Sequence, residues 1–153
     1  MFPAGFLGTR ADVLIDIVTL SFIVILPILI WSWWLAGTKK DYGNHRRVQL
    51  WLGITLGIVV AIFEWDLKMS GGIFELTKGG VYEGTAALNW TIYIHTAFSI
   101  LTTLIWATLI IVSLIKFGKP PKPNNFSRMH RFWGRTGMVT MIMAGVTSPP
   151  LYY

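Results

Sequence analysis

Residues 11–36 read ADVLIDIVTLSFIVILPILIWSWWLA, a stretch in which only Asp12 and Asp16 carry a charge. A helix needs roughly 20 apolar residues to cross the hydrocarbon core of a bilayer, and this stretch is long enough. Three further apolar stretches follow at about 45–68, 90–115 and 130–147, the last of them short. The 153 residues are 54% hydrophobic, which leaves room for four helices and little else. The sequence therefore predicts one all-α domain over 1–153, a polytopic membrane protein built as an antiparallel bundle of four transmembrane helices.

The charged residues predict how these helices are oriented. Basic residues gather in the first and third connections and at the adjoining helix ends. They are Lys39, Lys40, Arg46, Arg47, Lys116, Lys119, Lys122, Arg128, Arg131 and Arg135. Cytoplasmic loops carry an excess of Lys and Arg, so we expect both termini outside, N-out and C-out, in the inner (plasma) membrane. This topology explains the net charge of +6, so the predicted partner is the lipid bilayer and not nucleic acid.

Several classes of chemistry are excluded by what the sequence lacks. It has no cysteine, which excludes disulfides, thiolate metal sites and haem attached covalently through a cysteine pair. It also has no HExxH spacing, phosphate-binding glycine loop or paired nucleophile and base. We therefore do not expect an enzyme.

Ionisable residues near the outer ends of three helices form a candidate site. Asp16, Glu64 and His95 each lie about one to one and a half helical turns, roughly 6–9 Å, inside the predicted outer boundary. Glu64 falls on one helical stripe with Gly53 and Gly57, and small residues favour helix contacts, so we expect Glu64 to point into the bundle. Carboxylates and an imidazole suit a transition metal such as copper or iron. Asp16, Glu64 and His95 are therefore predicted metal ligands.

Other polar residues surround this predicted metal site. Arg10, Asp12, Asp66 and Ser99 are expected to form ion pairs or hydrogen bonds around the ligands, with Asp66 facing the aqueous rim. Two other interpretations remain open for the same residues. They could form a buried cluster of hydrogen bonds and ion pairs without a metal, or a proton relay.

The opposite ends of the helices carry a second candidate site. His45-Arg46 and His130-Arg131 each open the second helix of a predicted hairpin. Arginine at this depth reaches lipid phosphates, and a histidine there can cap a helix. Alternatively, two histidines on different helices at matching depth could ligate a haem iron while the arginines hold the propionates. Their place at the membrane edge favours contacts with headgroups, and haem b is the alternative cofactor.

Short motifs across nearly the whole chain resemble those of a known family. They are Phe6-Leu7-Gly8-Thr9-Arg10-Ala11 followed by Asp16, His45-Arg46, Phe63-Glu64-x-Asp66, Tyr93-x-His95 and His130-Arg131-x-x-Gly134. In order and placement they resemble the CtaM/YozB-like family of small four-helix membrane proteins. The resemblance implies an accessory or assembly role for haem-copper terminal oxidases. The chain departs from the family at Pro149-Pro150, which ends the last helix early.

Three functions follow as hypotheses. The first is an integral membrane accessory or assembly protein of a respiratory oxidase or another metalloenzyme complex, with a metal in the outer site and other membrane subunits as partners. The second is a small b-type haem or quinone-linked electron-transfer protein. The third is a purely structural subunit of a larger membrane complex.

Overall fold

The computed structural model describes residues 3–8 and 12–151, and this part of the chain is all-helical. The helices are α1 (Val13–Gly37), α2 (Tyr42–Met69), α3 (Ile73–Leu76), α4 (Ala86–Lys116) and α5 (Ser127–Thr147), followed by a 3₁₀ turn at Pro149–Leu151. No strand forms within these residues, where the β-type pairing is one isolated bridge between Ala4 and Asp12. The predicted all-helical character is confirmed for these residues, whereas the predicted count of four transmembrane helices and their orientation stay predictions.

Three of the described helices have the character of membrane spans. α1, α2 and α4 are long and apolar enough to cross a bilayer. α5 is not among them, and it carries Arg128, Arg131 and Arg135 in its first half. The chain is thus a membrane protein by the length and composition of these three helices.

Polar side chains start the three long helices. Asp12 accepts a hydrogen bond from the Ile15 backbone N–H at 3.0 Å, and Thr85 accepts one from Leu88 at 3.3 Å. Asp41 does the same for α2, accepting from both the backbone and the side chain of Asn44. These hydrogen bonds satisfy N–H groups that have no partner inside the helix. Those from Asn44 also lower the pKa of Asp41.

The long helices pack as two hairpins. α1 packs along α2, α4 packs along α5, and a smaller contact between α2 and α4 joins the two pairs. All four helices meet in one apolar cluster, which contains the buried residues Ile25, Leu29 and Met141. Phe22, Leu52, Leu56, Trp106 and Met138 pack against it. Met138 and Met141 therefore act as packing residues.

Glycines bring helices into close contact with α4. A Cβ added at Gly53 of α2 would lie 2.6 Å from Ile110 Cδ1, and one added at Gly137 of α5 would lie 3.2 Å from Ile105 Cγ2. Small residues allow such close approach between membrane helices. Gly53 thus brings the two hairpins close together, and Gly137 brings α4 and α5 close within one hairpin.

One buried hydroxyl is a weak point of the packing. Thr102 on α4 is 8% exposed, and within the described residues its Oγ1 has no hydrogen-bond partner. A buried polar group without a partner costs about 1–3 kcal/mol, so we expect Thr102→Val to increase the free energy of unfolding by about 1 kcal/mol. Denaturation of the detergent-solubilised protein measures this. Thr103→Val is the matched control, because Thr103 already donates to the Ser99 carbonyl at 2.9 Å. A lower unfolding midpoint for Thr102→Val would contradict the prediction.

Candidate functional site

A cavity of about 460 Å³ lies between the two hairpins. Its lining reaches the connections 38–41 and 117–126, where the basic residues gather, and we call this the basic end. Apolar and aromatic side chains form much of its wall, among them Leu29, Trp33, Trp106, Leu109 and Met138. Its volume falls in the range of about 300–1,000 Å³ that is typical of pockets for cofactors and other small molecules.

His45 and His130 both line this cavity and lie next to each other. Their ring centroids are 6.1 Å apart, and the ring planes are nearly perpendicular at 88°. Each hairpin supplies one of the two histidines, and it does so in the same way. In each hairpin the histidine is the fourth residue of the second helix, and it meets a serine of the first helix, Ser32 in α1 or Ser113 in α4.

The hydrogen bonds of His45 fix which ring nitrogen carries the proton. Its Nδ1 lies 2.8 Å from the Ser32 carbonyl oxygen and 2.9 Å from Ser32 Oγ. A carbonyl oxygen only accepts, so Nδ1 must carry hydrogen and donate it. Nε2 of the neutral ring then bears the lone pair and can bind a metal. A backbone carbonyl behind the imidazole is the usual arrangement for a histidine ligand.

Ser32 is in turn held by a chain of polar side chains. Gln49 Nε2 donates to Ser32 Oγ at 3.0 Å, and Trp106 Nε1 donates to Gln49 Oε1 at 3.2 Å. The chain runs through α1, α2 and α4, and Ser32 is completely buried. Rotation of the His45 ring would break the hydrogen bonding of its Nδ1 to Ser32, so the imidazole is held in one orientation.

The His130 ring makes fewer hydrogen-bond contacts than the His45 ring. Ser113 Oγ lies 2.9 Å from its Nδ1. The rings of Phe117 and Phe126 flank the imidazole, with centroids 5.4 Å and 6.1 Å away. Its Nδ1 therefore also faces the protein, which leaves Nε2 as the nitrogen available to a ligand in the cavity.

The spacing of the two rings would allow both to bind one metal ion. A bond from a metal to an imidazole nitrogen is about 2 Å long. With ring centroids 6.1 Å apart, one ion between the rings would be within reach of a nitrogen from each.

Cationic side chains border the same cavity. Lys40, Arg46, Lys122 and Arg131 are among its lining residues. Arg46 also reaches across the hairpins, where its Nη1 donates to the Gly118 carbonyl at 3.1 Å. Arginine and lysine bind carboxylates well, so a ligand with an apolar body and acidic substituents would match these walls.

The predicted outer metal site has a different arrangement. Asp16 is 1% exposed and accepts hydrogen bonds from the backbone N–H groups of Phe6 and Leu7, at 2.5 Å and 2.8 Å. His95 Nδ1 lies 3.0 Å from the Ala144 carbonyl, and Nε2 lies 3.4 Å from Ser99 Oγ. Asp16 therefore ties the N-terminal segment to α1, and His95 ties α4 to α5.

The expected orientations of Glu64 and Asp66 were wrong. Glu64 is exposed, whereas Asp66 is buried at 6% exposure. α2 packs through its larger residues, including Leu52 and Leu56, and a Cβ added at Gly57 would meet nothing within 4 Å. The stripe of small residues therefore does not mark the contact face of this helix along its whole length.

The three predicted metal ligands are not brought together. Within residues 3–8 and 12–151, no three His, Cys, Asp or Glu side chains are grouped so that they could hold a metal ion. Of the predicted surrounding residues, Ser99 lies beside His95 and Asp12 caps α1, while Arg10 lies outside the described residues. The structure thus gives no support to the set Asp16, Glu64 and His95.

The residues that orient the two imidazoles were not among the predicted site residues. Ser32, Gln49 and Ser113 were not predicted to belong to a site. Ser32 and Ser113 gave a signal, because each is a polar residue in an otherwise apolar stretch. Their helical positions alone do not show that they meet histidines from a neighbouring helix.

Comparisons with models of protein families, with curated proteins and with solved structures find no match for this chain. The resemblance to the CtaM/YozB-like family therefore stays a prediction from short motifs. What the site can do follows from its own geometry.

Proposed function

We propose that this protein is a small membrane-embedded b-type haem protein in which His45 and His130 would hold the haem iron. The observation that carries this proposal is the pair of neighbouring imidazoles. Their centroids are 6.1 Å apart within a cavity, and each turns Nδ1 toward a serine. A haem held in this way supplies one-electron chemistry, so the protein would carry electrons or hold haem for a partner.

The lining of the cavity favours haem over a bare metal ion. A single ion needs far less room than a cavity of about 460 Å³ with aromatic walls. Haem has a large apolar ring and two propionates, which match the apolar lining and the cations Arg46 and Arg131.

The protonation of His45 favours haem over a quinone. A quinone carbonyl accepts hydrogen bonds and needs a donor. Because Nδ1 of neutral His45 carries the hydrogen, its Nε2 offers a lone pair instead of a donor. A metal centre accepts that lone pair.

Topology and cellular role are part of the same proposal. We infer four transmembrane helices with both termini outside, in the inner (plasma) membrane, so that the basic end of the cavity faces the cytoplasm. The charge distribution supports this orientation. An accessory role for a respiratory oxidase is implied by the family resemblance, and a haem site would give such a protein a cofactor to hold or pass on.

The visible spectrum of the full-length protein in mild detergent tests the haem site. The chain is expressed with a haem precursor and compared in its oxidised and dithionite-reduced forms. We expect a Soret band, the sharp bands of six-coordinate low-spin haem on reduction, and one extractable haem per chain. Protein that carries no porphyrin and also fails to bind added haemin would overturn the proposal. Copper or a quinone in the cavity in place of porphyrin would overturn it as well.

A further inference from the structure

Three arginines lie along one side of α5. Arg128, Arg131 and Arg135 are spaced three and four residues apart, so their side chains leave the helix on the same face. All three are exposed, and α5 contains no acidic residue. Within the part of the chain that the structure describes, none of these side chains makes an ion pair or a hydrogen bond. They form a concentrated positive charge to which the described residues supply no anion.

The innermost of these arginines lies beside an apolar part of the neighbouring helix. The residue before Arg135 is Gly134, where an added Cβ would lie 3.7 Å from Leu109 Cδ2 of α4. Leu109 is seven residues, about 10 Å, from the end of α4 at Lys116, and the residues between them carry no charge. A charge at such a depth in a bilayer is costly unless it is paired or reaches the membrane surface. Arg135 therefore requires an anion within reach of its side chain.

Beyond the arginines, the same side of α5 is apolar. Val139, Ile142 and Val146 continue the spacing of three and four residues, and they are 58%, 41% and 65% exposed. From Arg135 to Val146 the helix rises about 16 Å, close to half of the roughly 30 Å thickness of the hydrocarbon core. We name this surface the α5 stripe, and its members are Arg128, Arg131, Arg135, Val139, Ile142 and Val146. It has a basic head and an apolar body about as long as one leaflet.

We propose that the α5 stripe binds an anionic phospholipid. The arginines hold the lipid phosphate, to which guanidinium groups donate paired hydrogen bonds, and an acyl chain lies along the three aliphatic residues. The inference rests on the proposed four-helix topology, which places the basic head of the stripe among the headgroups of the inner leaflet. It does not depend on haem. The part of the stripe from Arg131 to Val139 also lines the cavity, so the lipid site adjoins the proposed haem site.

A phospholipid fits the α5 stripe better than an acidic helix of a partner protein does. The three arginines extend over about 10 Å of the helix, so a partner helix would have to bury its own carboxylates equally deep. A phospholipid keeps its phosphate at the membrane surface. Arginine side chains reach that surface while their apolar stems lie along the helix. The division of the stripe into a basic and an apolar half also matches the head and the tail of a lipid.

Native mass spectrometry of the full-length protein in mild detergent tests the basic half of the stripe. The protein is titrated with anionic phosphatidylglycerol and with phosphatidylcholine, which has no net charge. We expect phosphatidylglycerol to bind about tenfold more tightly, and Arg135→Gln to lower that affinity about fivefold. Arg47→Gln is the matched control, because Arg47 is an exposed arginine near the start of α2, outside the stripe. Equal affinities for the two lipids, or an equal loss in the two variants, would overturn the inference.

A photoreactive lipid tests the apolar half on the unaltered protein. Phosphatidylglycerol with a diazirine midway along one acyl chain is incorporated with the protein into phosphatidylcholine vesicles and activated by light. We expect the lipid to label residues 139–146 of α5 in preference to the exposed surfaces of α1, α2 and α4. Labelling that is spread evenly over the four helices would overturn the inference, because it would show contact with bulk lipid only.

A single cysteine separates the remaining outcomes. The chain has no cysteine, so Val139→Cys provides one unique thiol for a photoreactive crosslinker or a membrane-impermeant maleimide. In native membranes we expect this position to crosslink to no protein, and a crosslinked protein would overturn the lipid as the occupant. Reaction with the maleimide would show that α5 lies outside the bilayer and would overturn the proposed topology as well. A shielded thiol together with no preference for phosphatidylglycerol would overturn the lipid site alone.

Discussion

Replacing His45 with alanine is expected to lower the affinity for haem by more than about 100-fold. Loss of a residue that only supports a ligand costs about 10–100-fold in metal affinity, and His45 is proposed as the ligand itself. Its Nε2 lone pair is fixed by the hydrogen bond from Nδ1 to the Ser32 carbonyl, so the ring needs no reorientation before it binds. Titration of the detergent-solubilised apoprotein with haemin measures the affinity. We expect a smaller loss for His130→Ala, which keeps His45, the imidazole with more hydrogen-bond contacts.

His95→Gln is the control for this result. His95 is the remaining one of the chain's three histidines and lies on α4, where its Nδ1 faces the Ala144 carbonyl of α5. We expect His95→Gln to bind haem as the wild-type protein does. Added imidazole should restore the spectrum of His45→Ala, because it can occupy the space left by the side chain. Equal haem affinity in His45→Ala and the wild-type protein would contradict the proposed ligand.

The positions of the long helices could be predicted from the sequence. Their apolar stretches are long and few polar residues interrupt them, so hydropathy alone places each helix within a few residues. Polar capping residues such as Asp12 and Thr85 then fix where the helices begin. The single turn at Ile73–Leu76 could not be predicted in this way, because it is short and follows a glycine-rich bend.

Rotation of a helix about its axis was harder to predict. Adjacent residues on a helix differ by about 100°, so a small error in the assumed contact face exchanges buried and exposed positions. Gly53 does meet α4, but Gly57 meets open space, and the face containing Glu64 is exposed. Small residues permit a close contact, but they do not require one.

The sequence alone also could not show which of the two candidate sites is the better one, because the answer depends on residues from other helices. His45 and His130 were predicted to lie at matching depth, and their distance from the bilayer centre favoured a headgroup role. What makes them candidate ligands is the direction in which each ring is turned. Ser32 and Ser113 set that direction from α1 and α4, and such pairings between helices do not follow from periodicity.

Asp16 makes the strongest polar contact at the opposite end of α1 from the cavity. Its buried carboxylate accepts two backbone hydrogen bonds, from Phe6 and Leu7, and so fastens residues 3–8 to the helix. The Val13 N–H adds a bond of 3.0 Å to the Pro3 carbonyl. Hydrogen bonds to a charged group contribute about 1.5–3 kcal/mol each, more than a bond between neutral groups.

We therefore expect Asp16→Ala to lower the free energy of unfolding by about 3 kcal/mol and to expose residues 3–8 to protease. Asp16→Asn keeps one acceptor oxygen and should lose less. Chemical denaturation in detergent and limited proteolysis measure the two effects. Asp12→Ala is the matched control, because it removes only the cap of α1 and should cost about 1 kcal/mol. Since Asp16 lies 16 residues from Ser32 along the same helix, roughly 24 Å, haem affinity should not change. An Asp16→Ala protein as stable and as protease-resistant as the wild type would show that the N-terminal segment is held by other contacts.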